Sequence, residues 1–348
     1  NPELHINCGS ILNLLGRYAE AEAALRHAIE LNPRLAEAHC ALGVALEGQK
    51  KFQESYSALN QSLLIRPDYI QAFINLGNLE LKMGDPLRAI EHYAAAVRLE
   101  PNSAIARTNL GTALRHARAF EEALKQCHEA TASDPTYADG WNALGQIQRE
   151  MTNYSAAIEA FLKAISLKTS FIEAHANLAG TYFQSKQLEL SIKAFKNLLD
   201  IAPNFAEGHA GLGVVLLALG KIEEAVLSLR QATNIRPLFG QAWSDLTEAL
   251  GNKLTDDDIL LLKKLLLDES IRDEDALGLN FALGSALDRC GKINEAFDCF
   301  VAGNKLRKNL LEKQGQKFDP DEYKADISQI INSFSQKTKN APSIITAN

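Results

Sequence analysis

The spacing of the prolines is the feature that most constrains the fold of this chain. Prolines recur every 34 residues, and Thr169 stands at the one place where the series is interrupted. A fixed period of this length indicates an array in which each repeat is one supersecondary unit. The period divides residues 2–239 into seven regular repeats, whose residues we number as positions 1 to 34. The repeats are 2–35, 36–69, 70–103, 104–137, 138–171, 172–205 and 206–239.

Two positions of each repeat hold small residues. Position 8 is Gly in six repeats and Ala179 in the other, and position 20 is Ala or Ser throughout. Small residues let two helices approach closely, and a larger side chain would overpack the contact. In Gly84-Asp85-Pro86, Gly can end one helix, Asp can cap the next, and Pro suits its first turn. Each repeat is therefore predicted to be a pair of antiparallel helices.

This pattern resembles the tetratricopeptide repeat (TPR) family over residues 2–250. The resemblance implies an all-α fold, a right-handed superhelical solenoid of antiparallel helix pairs. It also implies a concave groove lined by the first helix of each repeat. In such a solenoid each repeat buries its apolar face mainly against its neighbours.

The pattern changes after the seventh repeat. Residues 240–276 read as a degenerate eighth repeat and an extra helix, in which Thr247 replaces the small residue. We expect the leucine-rich run of the extra helix to pack on the array, with a partner surface as the alternative. Beyond it, the sequence predicts a ninth TPR-like repeat with an extended second helix (277–311), a C-terminal helix (319–335) and a flexible tail (336–348).

Residues 281–311, FALGSALDRCGKINEAFDCFVAGNKLRKNLL, and 318–334, FDPDEYKADISQIINSF, carry a second resemblance. They resemble the segment that joins TPR arrays to the catalytic domain in bacterial TPR-sulfotransferases. That family implies a phosphate-binding loop further on, and this sequence contains none. We therefore predict no catalytic residue and no enzymatic activity for the chain itself. The sequence does not begin with Met, so we expect a processed fragment or part of a longer protein.

Asparagines recur on the predicted first helices, and these are the main candidates for binding residues. Four share position 6, and the column resembles the one that lines the groove of O-linked N-acetylglucosamine transferase, where Asn amides hold a peptide backbone. An amide both donates and accepts, so it can bind an extended chain with little regard to its sequence. The alternative is a family consensus without a ligand role. The predicted groove asparagines are Asn75, Asn109, Asn177, Asn78 and Asn142.

Four basic residues occupy positions 12 and 13 of repeats three to five: Lys82, Arg115, His116 and Arg149. We expect them to face the groove, where they could attract an acidic peptide segment. A solvated charged face without a ligand is the alternative. The lysine that chaperone-binding TPR domains carry at position 5 is absent, which argues against that subclass.

Composition excludes several other classes of function. A net charge of −7 argues against a nucleic-acid partner, and no apolar run approaches the length of a membrane span. Five cysteines without a CxxC pair indicate a reducing, cytoplasmic location. Histidines at position 4 are predicted to pack rather than bind a metal, and no cofactor is expected.

The predicted function is a protein interaction scaffold that binds an extended polypeptide in its groove. The alternative is the substrate-recruiting region of a larger sulfotransferase or O-linked glycosyltransferase. A third possibility is a structural subunit of a larger assembly.

Overall fold

A computed structural model describes residues 1–313, so the helix predicted at 319–335 and the tail predicted at 336–348 lie outside the described residues. The described residues form eighteen α-helices and one short 3-10 helix (Gly251–Lys253), and they contain no strand. The all-α prediction is confirmed. The helices are α1 (Pro2–Leu14), α2 (Tyr18–Leu31), α3 (Ala36–Gly48), α4 (Phe52–Ile65), α5 (Ile70–Met83), α6 (Pro86–Leu99), α7 (Ala104–His116), α8 (Phe120–Ser133), α9 (Ala138–Glu150), α10 (Tyr154–Leu167), α11 (Ile172–Gln184), α12 (Leu188–Ile201), α13 (Ala206–Ala218), α14 (Ile222–Ile235), α15 (Gly240–Leu250), α16 (Asp256–Leu265), α17 (Asp273–Arg289) and α18 (Ile293–Lys313).

The chain divides into two compact units, and the second begins at Asn204. In unit 1 (Asn1–Pro203), the main chains of consecutive first helices, from α1 to α11, approach each other within 8 Å. The main chains of consecutive second helices, from α2 to α12, do not approach within that distance in this described unit. Unit 1 therefore curves with its first helices on the inner side.

The small residue at position 8 is required by a side chain at position 24 of the same repeat. A Cβ atom added to Gly43 would lie 2.6 Å from Leu59 Cγ, and one added to Gly145 would lie 2.6 Å from the Phe161 ring. Such distances are far below van der Waals contact, so the helix pairs of these two repeats leave no room for a methyl group. The close approach predicted from the sequence is confirmed.

Two repeats have serine in place of alanine at position 20, and each hydroxyl has a partner. Ser55 Oγ donates to the main-chain oxygen of Gly43 at 2.7 Å, and Ser191 Oγ donates to that of Ala179 at 2.8 Å. Both serines are fully buried. A buried hydroxyl is tolerated here because the position-8 carbonyl lies within hydrogen-bond reach.

The turn inside each repeat places position 15 in the left-handed region. Glycine fills it in three of the seven regular repeats, as at Gly84 with φ of 83°. Four other residues adopt the same conformation despite their side chains, with φ between 61° and 63°. They are Lys50, Arg118, Thr152 and Lys186. A β-branched residue such as Thr152 is the least suited to this conformation.

Side chains at position 4 form hydrogen bonds with a main-chain oxygen six residues earlier, in the turn that precedes their helix. Trp141 Nε1 donates to the Pro135 oxygen at 3.0 Å, and His175 Nε2 lies 2.9 Å from the Thr169 oxygen. Because a carbonyl oxygen only accepts, His175 Nε2 carries the hydrogen. This contact explains the histidine and tryptophan column, and no group of side chains suited to a metal ion occurs in residues 1–313.

In unit 2 the pairing of each first helix with the next helix along the chain is interrupted after α14. The following helix, α15, packs along α17 instead. A Cβ on Gly240 would lie 2.1 Å from the main-chain oxygen of Asp275, and Ser244 Oγ donates to the Gly278 oxygen at 3.0 Å. The two helices thus touch through their backbones, which glycine alone permits.

The leucine-rich run at residues 255–268 is only partly buried. Ile259 and Leu262 pack into the core of unit 2, whereas Leu260 and Leu267 are exposed. Thr255 caps α16, and Asp258, the third residue of the helix, completes the capping box and binds the Arg230 guanidinium through both carboxylate oxygens. The Arg230 hydrogen bonds hold the pKa of Asp258 below its ordinary value. The run therefore combines packing on unit 2 with an exposed apolar face.

Candidate functional site

All nine predicted groove residues lie on the first helices of unit 1, on α5, α7, α9 and α11. We call the side of these helices that bears positions 5, 6, 9, 12 and 13 the groove face. What distinguishes the nine side chains is whether each already has a partner within the protein.

Asn142 and Asn177 belong to a directed chain of hydrogen bonds. Arg149 Nη1 donates to Asn177 Oδ1 at 3.1 Å, and Asn177 Nδ2 donates to Asn142 Oδ1 at 3.1 Å. Asn142 Nδ2 then donates to Glu173 Oε1 at 3.1 Å. A cation at one end and a carboxylate at the other fix the orientation of both amides. These two asparagines join α9 to α11, and each amide uses one N–H and one oxygen lone pair to do so.

Asn75 and Asn78 are partly engaged. Asn75 accepts from Gln71 Nε2 at 3.0 Å and donates to Cys40 Sγ at 3.2 Å. Burial raises the pKa of the Cys40 thiol to about 11, so the sulfur is a neutral and weak acceptor. Asn78 Oδ1 accepts from the Tyr93 hydroxyl at 2.6 Å.

Asn109 on α7 differs from the other four asparagines. Its side chain is half-buried and makes no hydrogen bond to any described residue. Both the donor and the acceptor of this amide are therefore available to a ligand on the groove face.

Each basic side chain already has a partner. Lys82 contacts Glu47, and Arg115 Nη1 lies 2.5 Å from Glu150 Oε1. Neighbouring carboxylates thus compensate two of the cations locally, and Arg149 is bonded to the Asn177 amide. The selection of acidic partners stays a prediction. Less uncompensated positive charge is present at these residues than the sequence indicated.

The two remaining titratable groups of this cluster carry shifted pKa values. Burial, together with the charge of Arg115, lowers the pKa of His116, which therefore favours its neutral form. Burial is also the main cause that lowers the pKa of Arg149. Desolvation of the arginine agrees with its use as a hydrogen-bond donor inside the protein rather than as an exposed cation.

The structure reveals one candidate site that the sequence reading missed. A cleft of about 590 Å³ opens between α1, α3 and the start of α5. We call it the N-terminal cleft, and its lining includes Ile6, Leu14, Tyr18, Val44 and Tyr69. Asn75 also borders it, so the cleft adjoins the asparagine column. Eight of the twelve lining residues fall in pairs at positions 2, 5, 6 and 9, so the cleft belongs to the groove side of repeats one to three. The residue types at these positions differ from repeat to repeat, which is why repeat spacing did not reveal the cleft.

Family models described as tetratricopeptide repeats match most of the regular array. The matched residues are 9–50, 36–69, 74–138, 138–171, 172–205 and 206–237, which together are more than half of the chain. This chain is a tetratricopeptide repeat protein. The matches end at residue 237, so the resemblance of the later residues to bacterial TPR-sulfotransferases stays a prediction.

Two curated relatives show the extent of sequence similarity. The co-chaperone sgt12 of Aspergillus fumigatus is 30% identical over 89 residues, which are 26% of each chain. Human Protein O-mannosyl-transferase TMTC3 is 41% identical over 66 residues, 19% of this chain and 7% of that protein. The first four curated relatives are matched over only 8% to 27% of their own length.

Solved structures show the same fold. A chain of the Cut9–Hcn1 hetero-tetramer of the APC/C has a TM-score of 0.60 and 21% identity, over 69% of this chain and 47% of that one. A tetratricopeptide repeat protein from Parabacteroides merdae has a TM-score of 0.58 and 17% identity, over 72% and 99%. No helix in residues 1–313 is long and apolar enough to cross a membrane.

Proposed function

We propose that this protein is an interaction scaffold whose unit 1 binds an extended segment of a partner polypeptide along the groove face. The observation that carries the proposal is the half-buried Asn109 amide, which has no hydrogen-bond partner among the described residues. An extended backbone offers N–H and C=O groups that match the acceptor and donor of this amide. A protein partner also agrees with the name of the relative sgt12, a co-chaperone.

Asn75 is the second contact in this proposal. Its Nδ2 donates to a thiol sulfur, and a peptide carbonyl is a stronger acceptor than that sulfur. Replacement of the sulfur by a peptide carbonyl as the acceptor therefore favours binding. Asn142 and Asn177 are assigned a positioning role, because their hydrogen bonds already join α9 to α11. Lys82, Arg115 and Arg149 would select acidic partners with the N–H donors that their present contacts leave unused.

The test is the affinity of a defined extended peptide for Asn109→Ala. The probe is an acetylated octapeptide with leucine at alternate positions and glycine or serine between them, hereafter the leucine peptide. One or two hydrogen bonds are worth about 1–1.5 kcal/mol, so the dissociation constant should rise about five- to tenfold. The control is Asn60→Ala on the second helix α4, whose amide donates to the Tyr56 oxygen within its own helix. The control should change the affinity less than twofold. Equal affinities for wild type and Asn109→Ala would refute the proposal.

The second candidate role is substrate recruitment for a transferase. It is supported by the sequence resemblance of residues 281–334 and by the short match to the human O-mannosyl-transferase. The intact mass of the native protein tests it. A mass well above 38.1 kDa, with the additional residues at the C-terminus and measurable transferase activity, would support this role. A mass near 38.1 kDa without such activity would exclude it.

A further inference from the structure

The N-terminal cleft has an apolar lining large enough for more than one side chain. Ile6 and Leu14 come from α1, Ala41 and Val44 come from α3, and Tyr18 and Tyr69 add their rings. Its volume of about 590 Å³ is within the range of sites that bind small ligands or peptide side chains. Leu14 is 89% exposed, so a bound aliphatic group would cover surface that is now in water.

Both aromatic walls are fixed by the surrounding structure. Gly48 stands where a Cβ atom would lie 2.5 Å from the Tyr18 ring, so the absent side chain lets that ring lie against the end of α3. The Arg66 guanidinium lies 3.7 Å from the centre of the Tyr69 ring and covers one of its faces. A cleft with fixed walls loses little side-chain entropy when a ligand enters.

The charge of the lining excludes a cationic or anionic ligand group. Glu37 is the one charged residue of the lining, and its carboxylate lies 2.9 Å from Arg66 Nη1. An aspartate or glutamate of a ligand would lose water here without meeting an unpaired cation of the lining. A lysine would compete with Arg66 for Glu37. Uncharged aliphatic groups incur neither cost.

Polar groups at the cleft fit a polypeptide main chain. Asn13 Nδ2 donates to the Ala41 oxygen at 2.9 Å, whereas its Oδ1 is buried and accepts no hydrogen bond from any described residue. A peptide N–H is a donor that would satisfy this oxygen once the Asn13 side chain turns it toward the cleft. Asn75 Nδ2, now bonded to Cys40 Sγ, can donate to a peptide carbonyl on the opposite side.

We infer that the N-terminal cleft anchors the partner polypeptide by taking uncharged aliphatic side chains of its extended segment. Asn13 and Asn75 bind the adjacent main chain. This inference rests on the proposed function and gives the chemical class of its ligand. It places the anchor in repeats one to three and not at the basic residues of repeats three to five.

The experiment compares two peptides and two variants of the full chain. The leucine peptide is titrated against a matched octapeptide in which aspartate replaces each leucine, with binding followed by amide NMR shifts. Val44→Lys places a charge in the cleft. Val214→Lys is the control, since Val214 is also half-buried at position 9 of its first helix but lies in unit 2. An octapeptide spans at most about 29 Å when fully extended, so it samples one short part of the groove face.

We expect the leucine peptide to shift amide signals around Ser10 and Val44 and to bind at least tenfold more tightly than the aspartate peptide. Val44→Lys should weaken the leucine peptide at least tenfold, and Val214→Lys less than twofold. Tighter binding of the aspartate peptide, or equal losses in the two variants, would overturn this inference. In that case sensitivity to Asn109→Ala would still uphold the proposed function. Absence of binding by both peptides would refute both proposals.

Discussion

Alanine should have opposite effects on stability at two helical glycines of unit 1, Gly145 on α9 and Gly180 on α11. Alanine is favoured over glycine in a helix by about 1 kcal/mol at either position. At Gly180 the added Cβ atom would meet only Arg149 Nη1, at 3.9 Å, which is ordinary contact. Gly180→Ala should therefore keep the whole gain of about 1 kcal/mol.

At Gly145 the same Cβ atom would lie 2.6 Å and 2.7 Å from two carbons of the Phe161 ring. Phe161 is fully buried, so the rigid ring cannot move into solvent. Overpacking costs about 1–3 kcal/mol, and a rigid aromatic neighbour places this site in the upper half of that range. After the helical gain is subtracted, Gly145→Ala should lose about 1–2 kcal/mol.

Both substitutions lie in unit 1. Urea unfolding followed by circular dichroism measures the free energy of unfolding of each variant. The transition midpoint should rise for Gly180→Ala and fall for Gly145→Ala, with the slope of each transition unchanged. A Gly145→Ala protein as stable as Gly180→Ala would refute the argument that position 8 is set by the side chain at position 24. Destabilisation by Gly180→Ala would show that the groove face at α11 is more crowded than the structure indicates.

Two further substitutions test local costs in unit 1. Thr152→Gly should stabilise the protein by about 0.5–1 kcal/mol in thermal unfolding, because a β-branched residue with φ of 61° is strained. Thr152→Ala should stabilise the protein less, and equal stabilisation by the two variants would contradict this reasoning. Glu80 is 1% exposed, and neither of its carboxylate oxygens has a hydrogen-bond partner among the described residues. Glu80→Leu should therefore stabilise the protein by about 1–3 kcal/mol at pH 7. Burial raises the pKa of Glu80, so the protein should lose stability as pH rises through that raised value. The advantage of Glu80→Leu should therefore shrink near pH 4, and an advantage independent of pH would count against an ionised, unpaired carboxylate.

The helical array could be predicted from the sequence because its determinants are local and repeat at one spacing. Gly43 and Gly145 mark the close approach of two helices, and the inter-repeat prolines mark their ends. The four non-glycine residues at position 15 could not be predicted in the same way. Their left-handed conformation is imposed by helix pairing on both sides, and local preference alone would not give it.

The candidate site was harder to predict because repeat position fixes where a side chain lies and not what it contacts. Position 6 places Asn75, Asn109 and Asn177 on three first helices, α5, α7 and α11. It did not show that Asn177 is locked by Arg149 whereas Asn109 has no partner among the described residues. Such pairings depend on residues of neighbouring repeats that the period leaves free to vary.

Intermolecular NOEs test whether the groove face of unit 1 binds an extended backbone. The measurement uses the full chain with the leucine peptide and ¹⁵N-labelled side-chain amides. We expect NOEs from the peptide main chain to the Asn109 and Asn75 amides, together with NOEs from the leucine methyl groups to Val44 and Tyr69. NOEs confined to the second helices of unit 1 (α2, α4, α6, α8, α10 and α12) would contradict binding at the groove face.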